Sequence, residues 1–453
     1  MSKDQRVPAR ARLAGRRLRT SARAVLCITT SLGLVAGVGA TASASARRAA
    51  RKTSSTTLTL FSAAGLQPFE QALANAFEKS NPNVKVTLDV EADTNFNTVL
   101  PRLLASSSPP DISQPESGFI QLVGDGLLAN LDKYAQKYGW TKKIPASALA
   151  PGRVAHGVVG SGPLYSAGGM AGPMVGVYYN KALAAKVGMK TVPTSVSALA
   201  SVLATAKADG ITPIIASNED GLVGHLYSLL LGDYMGAKAL NAVIYHQKGA
   251  KLDTRAAVAA TTELAKWVKA GYFNSDANAI QQETSYGEFS QGKGLFMFQG
   301  SWMLQSLPKS FAGKYGVFPF PPLKAGGAYT AMTGNSLAFS ISAHSKDQRA
   351  AAEFLNFLTT PAAAKIAVAN GYAALSGAKP KPASLSGTIN AQIQNGYALI
   401  AKDDGFTSWL QNAAPQVSTA ETQQLQTLLA GRTTPAAMVK ALQSVYTASL
   451  PTR

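Results

Sequence analysis

Residues 289–302 read FSQGKGLFMFQGSW, and this stretch decides the fold predicted for the chain. Residues 292–294 form a polar Gly-Lys-Gly turn, residues 295–298 form a short apolar strand, and a Gly-Ser break then presents Trp302. A buried strand that ends this way places a large ring at the carboxyl edge of a sheet, where open α/β sheets bind ligands. The alternative is a core strand whose Trp302 fills the interior, and this segment alone favours neither interpretation.

The first third of the chain alternates between strand and helix patterns. Residues 57–61 and 84–90 have the composition of strands, and residues 68–78 carry apolar side chains at helical spacing. Residues 96–105 are again helical, and a third strand opens at Asp111 after a Ser-Ser-Pro-Pro break. Strand, helix, strand, helix, strand is typical of a parallel sheet covered by helices, so an α/β fold is predicted.

The N-terminus has the features of an export signal, which we place at residues 1–46. Seven arginines precede an apolar stretch over residues 24–40, and small residues at positions 42–46 offer cleavage sites. Cys27, the only cysteine, follows leucine and lies within the apolar stretch, so it is interpreted as part of the signal, with lipidation as the lesser alternative. Removal of the signal leaves a chain without disulfides or thiolate ligands. Residues 47–54 are a polar linker.

Composition narrows the class of protein. The chain is 46% hydrophobic and 15% charged, which suits a globular protein. Its net charge is +19, of which the first 46 residues contribute +7 and the remainder +12. The basic residues are dispersed and no basic helix with interleaved aromatic residues occurs, so nucleic-acid binding is not expected. No later segment has about 18 consecutive apolar residues, and no membrane span is expected there.

Catalytic and metal motifs are missing from the sequence. The four histidines (His156, His225, His246 and His344) show no paired metal spacing. The chain also lacks a G-x-S-x-G elbow, a Walker A loop and a dinucleotide fingerprint after a strand. The sequence therefore predicts a binding protein rather than an enzyme, with no cofactor and no metal.

Several motifs, in order along the chain, resemble the extracellular solute-binding proteins of ABC importers, the sugar-binding family that includes maltose-binding protein. The opening stretch resembles this family's F-x-x-G-K-A-A-M-x-x-x-G-S-W segment, although Gly294-Leu295 replaces the Ala-Ala pair. A second departure is Pro193-Thr194-Ser195, where the family has Pro-x-Thr-Trp. The other matching segments are residues 77–86 (FEKSNPNVKV), 108–112 (SPPDI), 126–131 (GLLANL), 176–181 (GVYYNK), 210–214 (GITPI) and 429–435 (LAGRTTP).

The resemblance implies an α/β, two-lobe periplasmic-binding-protein-like fold of type II, with a ligand cleft between lobes joined by hinge segments. The three crossings between lobes would be residues 176–180, 317–323 and 372–376. The prolines of the second crossing restrict the backbone and suit a stiff hinge. Lobe one would comprise residues 55–177 plus 322–374, and lobe two would comprise residues 178–321 plus 375–453.

The resemblance also implies a function. An exported, periplasmic or extracellular monomer would capture a sugar or oligosaccharide and deliver it to the membrane subunits of an ABC permease. One alternative is a secreted glycoside-processing enzyme that uses Glu116 or Glu91, because that chemistry needs two carboxylates flanking one bond. Two further alternatives are a binding protein for a non-sugar solute and a protein that presents its ligand to a sensor.

The predicted ligand contacts follow from the needs of a neutral sugar, whose pocket requires aromatic rings and a few hydrogen-bonding groups at strand ends. In the family, the tryptophan that matches Trp302 stacks on a sugar ring, and an acidic residue at the position of Glu116 accepts sugar hydroxyls. A carboxylate acceptor makes the stronger, charge-assisted hydrogen bond. Strand ends and turns add the following candidates: Phe61, Ser62, Gln67, Ser117, Tyr165, Asn218, Tyr227, Asn335, Ser336, Tyr372 and Trp409.

Some of these candidates also have a structural interpretation. Tyr227 lies at helical spacing, where a core role is the commoner one, and Ser117, Asn218 and Asn335 could serve as helix caps or turn formers. Trp140 and Trp267 lie in helical contexts and are predicted to be structural.

Overall fold

The computed structural model describes residues 55–115, 117–332, 338–375 and 387–450. The predicted signal (residues 1–46) and linker (residues 47–54) lie outside these ranges, and the described residues form one compact unit. The strands of the described ranges are β1 Thr56–Ala63, β2 Val84–Glu91, β3 Ile112–Ser113, β4 Arg153–Ala155, β5 Val158–Leu164, β6 Val175–Asn180, β7 Thr212–Ile214, β8 Gly294–Gly300, β9 Tyr315–Pro319, β10 Ala331–Met332, β11 Ser340–Ile341 and β12 Phe406–Thr407.

Helices cover both halves of the unit. They are α1 Gln67–Ser80, α2 Asp93–Leu104, α3 Phe119–Gly124, α4 Asp132–Tyr138, α5 Trp140–Lys143, α6 Ala146–Leu149, α7 Lys181–Lys186, α8 Val196–Ala208, α9 Val223–Met235, α10 Ala237–Ile244, α11 Arg255–Lys269, α12 Gln282–Ser290, α13 Gln348–Phe357, α14 Pro361–Ala369, α15 Ile389–Lys402, α16 Pro415–Leu429 and α17 Pro435–Ser449. Within the part of the chain that the structure describes, no helix is long and apolar enough to cross a membrane.

The first four-stranded sheet has the order β11-β3-β1-β2, with β1 parallel to β2 and β3 and with β11 antiparallel to β3. Helix α1 joins β1 to β2. Its Phe69, Leu73 and Phe77 side chains recur on one face and are all buried. Full burial of each such side chain stabilises the fold by about 1.5–3 kcal/mol. The predicted alternation of strand and helix in this region is confirmed.

The second four-stranded sheet has the order β7-β8-β6-β9, with β7 parallel to β8 and with β6 antiparallel to both β8 and β9. All seven residues of β8 are buried, as expected of a strand that is covered on both faces. The strand predicted at residues 295–298 is therefore confirmed, and it extends to Gly294–Gly300.

Two hydrophobic cores correspond to the two sheets. The first is built around β1 and α1, and the second around β6, β8 and α9. Trp140 lies fully buried in the first core and Trp267 lies in the second, which confirms their structural roles.

Two of the three predicted crossings pair with each other, and the described part of the third lies against the segment ahead of the first. Strands β6 and β9 pair with each other, with Gly176 opposite Pro319. Ahead of β6, Ala171 N donates to Ala373 O over 2.8 Å, and Leu375 N donates to Gly169 O over 2.8 Å. This adjacency is what a hinge formed by several segments requires, and the lobe boundaries themselves stay a prediction.

Candidate ligand-binding site

Trp302 lies directly after β8, in a short 3-10 helix over Ser301–Gln305. Its ring folds back over Gly300, where a Cβ atom would overlap the indole, so this close approach requires glycine. The indole Nε1 donates to Tyr286 Oη over 2.9 Å and lies 3.2 Å from Gln282 Oε1. These contacts with α12 fix the half-buried ring at the carboxyl edge of the second sheet.

Trp302 belongs to a cluster of three rings, Trp302, Trp409 and His225, which we call the aromatic cluster. The ring centroids of Trp302 and Trp409 are 5.8 Å apart, and the His225 ring is 5.3 Å from each. Trp409 is only 9% exposed, and its Nε1 has no hydrogen-bond partner within the described ranges. The cluster therefore offers two aromatic faces and an unpaired N–H donor.

His225 contributes an uncharged imidazole. It lies in the first turn of α9 and is 3% exposed, and this burial lowers the pKa of His225 to about 4. A hydrogen bond between His225 and the side chain of Gln299 opposes the shift only in part. The His225 Nδ1 atom lacks a partner among the residues that the structure describes. A neutral imidazole can both donate and accept, which matches the hydroxyl groups of an uncharged solute.

Polar groups follow β7 at the same edge of the second sheet. Asn218 is fully buried, and its Nδ2 donates to Asn278 Oδ1 over 2.8 Å. Its own Oδ1 is unpaired within the described part of the chain. The Asp220 carboxylate accepts the Gln282 N–H over 2.7 Å at the start of α12, and burial raises the pKa of Asp220. Asp220 therefore contacts the helix whose Gln282 and Tyr286 side chains hold Trp302.

Loops from the first sheet approach this edge. The 3-10 turn Ala64–Leu66 after β1 contacts the Ser301–Gln305 segment. After β3, Gly118 lies so near Pro415 that a Cβ atom on it would be 3.4 Å from Pro415 Cγ. Pro415 begins α16, soon after Trp409 in the chain. The carboxyl ends of the two sheets thus face each other across the region that contains the aromatic cluster.

The remaining described candidates vary in exposure. Gln67 is exposed at the start of α1, Tyr165 is half-buried, and Ser117 is buried next to Gly118. Ser62 is buried at the end of β1, where its Oγ donates to Ala63 O over 3.2 Å. These four residues border the facing strand ends, and their ligand contacts stay predictions.

Three of the predicted aromatic contacts are buried in the structure. Tyr227 is fully buried with its Oη 3.0 Å from Thr261 Oγ1, and burial raises its pKa. Tyr372 is also fully buried, with its ring centroid 4.4 Å from that of Phe69. The Phe61 ring stacks on Phe96 at 4.8 Å inside the first core. Their roles as ligand contacts stay predictions.

Glu116, Asn335 and Ser336 lie outside the described residues, so their predicted roles stay predictions. The carboxylate pair of the glycosidase alternative includes Glu116 and is untested for the same reason. Across the described ranges, no group of three or more His, Asp or Glu side chains is arranged to hold a metal ion.

Sequence reasoning missed three polar residues that contact the rings, which are Gln282, Tyr286 and Gln299. It also missed Asp220, which accepts the backbone N–H of Gln282. One of them carries a signal in the sequence, because Gln299 is a polar residue at the end of an otherwise apolar strand. Gln282 and Tyr286 are four residues apart on α12, so they share a helix face. Whether these two side chains point toward Trp302 depends on how the chain folds between α12 and β8.

Known proteins resemble this chain both in sequence and in structure. The profile of the bacterial extracellular solute-binding protein family matches residues 63–365. A multiple sugar-binding protein of Streptococcus mutans is 24% identical over 306 residues, which cover 63% of this chain. The match spans 66% of that relative, slightly less than two thirds of its length.

Two solved structures share the fold. A chitin oligosaccharide binding protein aligns with a TM-score of 0.72 at 22% identity, over 87% of this chain and 99% of the other. The maltose-bound MalE3 protein of T. maritima aligns with a TM-score of 0.70 at 18% identity, over 86% of this chain and 99% of the other. The predicted α/β fold of the type II periplasmic-binding-protein class is thereby confirmed. Because the family profile covers well over half of the sequence, the chain belongs to the bacterial extracellular solute-binding protein family.

Proposed function

We propose that this chain is the substrate-binding protein of an ABC importer, and that it captures a sugar or oligosaccharide between the facing strand ends of its two sheets. The observation that carries the proposal is the aromatic cluster, in which Trp302 and Trp409 flank the neutral imidazole of His225. Sugar rings present apolar C–H faces to aromatic side chains and hydroxyls to neutral polar groups.

The relatives support the carbohydrate class without identifying the sugar. Their names or titles refer to multiple sugars, chitin oligosaccharide and maltose, which differ in linkage and length. The neutral Gln299 side chain, which is hydrogen-bonded to His225 of the cluster, suits an uncharged ligand. A charged solute would need a matching buried charge beside the rings.

Closure of the cleft provides the mechanism of capture. A ligand that contacts both lobes favours the closed arrangement by the difference in its affinity for the two states. The adjacent segments β6, β9 and 372–375 would serve as the hinge, with lobe one at residues 55–177 plus 322–374 and lobe two at residues 178–321 plus 375–453. The closed form would then dock on the membrane subunits of the permease.

Export and the lack of catalysis complete the proposal. Residues 1–46 would direct the chain out of the cytoplasm and be removed. The cleft would bind its sugar without changing it, so the sugar should be recovered intact after incubation with the protein.

We expect a thermal-shift screen of the purified protein to respond to one class of mono- or oligosaccharide. A sugar at about 100 times its Kd adds about 2.7 kcal/mol of stability, because it binds only the folded chain. Amino acids, polyamines and metal ions serve as controls. Chromatography of the incubated sugar tests the enzyme alternative in the same samples.

A response to amino acids or polyamines alone would retain the fold and refute the sugar class. Hydrolysis of the responding sugar would favour the glycoside-processing alternative over transport.

A further inference from the structure

The segment that carries Trp409 has little regular structure of its own. It comprises the two-residue strand β12 (Phe406–Thr407) and a 3-10 turn at Leu410–Ala413. Among the described residues, strand β12 pairs with β10 at two positions, where Ala331 lies opposite Phe406 and Met332 lies opposite Thr407. Side chains hold other backbone groups of residues 406–413.

Asn241 on helix α10 supplies two of those bonds. Its Nδ2 donates to Phe406 O over 2.8 Å, and its Oδ1 accepts from Ser408 N over 3.1 Å. The amide thus contacts the backbone on both sides of Thr407, directly ahead of Trp409. A side-chain amide that satisfies one donor and one acceptor of the same segment fixes both its position and its orientation.

The far end of the segment is held from the same side. His246, just after α10, has its Nε2 2.7 Å from Ala413 O, so Nε2 carries the hydrogen and donates. Between the two ends, Leu410 N donates to Ser228 Oγ on α9 over 3.3 Å. The ring of Trp409 therefore projects from a stretch of backbone that is fixed before and after it.

Helix α10 is a firm support for these bonds. Its Leu240, Val243 and Ile244 side chains are buried in the second core, while Asn241 lies on the face that meets residues 406–408. Asn241 holds residues 406–408 through directional hydrogen bonds to backbone atoms rather than through apolar packing.

We propose that Asn241 is a positioning residue for ligand binding, and that it holds the Trp409 ring at its place in the aromatic cluster. The two hydrogen bonds of the Asn241 side chain go to the backbone of Phe406 and Ser408, so its effect passes through the backbone of residues 406–408. The contact between Trp409 and the ligand rests on the proposed function, whereas the positioning of the Trp409 ring by Asn241 does not.

Fluorine NMR of 5-fluorotryptophan-labelled protein tests this inference without any ligand. The chain has four tryptophans, and single Trp→Phe variants assign their signals. In Asn241→Ala, the Trp409 signal should shift or broaden. The Trp302 signal should change to a smaller extent, because the two rings are neighbours. The Trp140 and Trp267 signals should stay in place. Alanine favours helix more than asparagine does, so α10 itself should persist.

Two further variants separate positioning from packing. Asn241→Asp keeps the size of the side chain but turns an acceptor toward Phe406 O, so it should disturb Trp409 as the alanine variant does. Asn274 is the matched control, because its Oδ1 accepts from Ala216 N over 2.8 Å and its Nδ2 donates to Ala216 O over 3.1 Å. Asn274→Ala should leave the Trp409 signal unchanged.

An unmoved Trp409 signal in both folded Asn241 variants would overturn the inference, and so would an equal change in all four signals. A selective Trp409 change in a protein that binds no sugar would support the positioning and refute only the proposed function.

Discussion

Replacing Glu421 with glutamine is expected to weaken the pH dependence of the folding stability. The wild-type chain should lose stability between about pH 5 and pH 8, and the variant should lose much less. Glu421 lies on α16 and is 2% exposed. It packs on the first turn of α9, where a Cβ atom on Gly224 would be 3.3 Å from Oε1. That oxygen has no hydrogen-bond partner in the described structure, and burial raises the pKa of Glu421 to about 8.

The direction of the effect follows from the two pKa values. The ordinary value is 4.5, so the unfolded chain releases this proton at a lower pH than the folded chain does. The contribution of Glu421 to stability is full below about pH 4.5 and is lost as the pH rises through about 8. Each unit of pKa difference corresponds to about 1.4 kcal/mol, which gives a loss of about 4–5 kcal/mol over the whole range.

Urea unfolding of the wild type and Glu421→Gln at pH 5, 7 and 8.5 measures this contribution. The two curves should agree best at pH 5 and diverge as the pH rises, with the variant the more stable. Asp233 should also lower the stability of the folded chain as the pH rises, because burial raises its pKa to about 8. The Thr330 hydroxyl donates to this carboxyl group over 2.6 Å. The double variant with Asp233→Asn should therefore have the flattest profile.

The exposed Asp209 at the end of α8 provides the control, since Asp209→Asn removes a carboxylate that is not buried. It should follow the wild-type profile at all three pH values. A Glu421→Gln profile parallel to that of the wild type would show that the buried carboxyl is not the source of the pH dependence.

The sequence predicted those strands and helices whose apolar pattern lies within a few neighbouring residues. The apolar run at residues 295–298 and the helical spacing of Phe69, Leu73 and Phe77 each specify an element through neighbouring residues. The place of Trp302 after β8 follows from the same reasoning, because the strand and the Gly-Ser break are adjacent in sequence.

The composition of the site could not be predicted in the same way. Trp302 and Trp409 are distant in sequence, and their contact depends on how α9, α10 and β12 pack together. The burial of Tyr227 and Tyr372 could not be predicted for the same reason. Each follows a plausible strand end or turn, but the direction of its ring is set by Thr261 in one case and by Phe69 in the other.

Removing the Trp302 ring is expected to weaken sugar binding about thirtyfold or more. Truncation of a tryptophan at the centre of a binding site commonly costs about 2 kcal/mol or more, which corresponds to that change in Kd. Isothermal titration of Trp302→Ala with the sugar that responds in the thermal-shift screen measures the loss. The ring packs on the strand end with one half-buried face, so the variant should stay folded.

Gly300→Ala tests whether the position of the ring matters as well as its presence. The added Cβ atom would overlap the Trp302 indole, so the ring must leave its place and break its bond with Tyr286 Oη. Gly124→Ala is the matched control, because its Cβ atom would meet nothing within 4 Å. If both site variants lose affinity and the control does not, the fixed ring is the contact surface. If Trp302→Ala binds as the wild type does, the ring is only a filler of the strand end, and the sugar must lie against other residues.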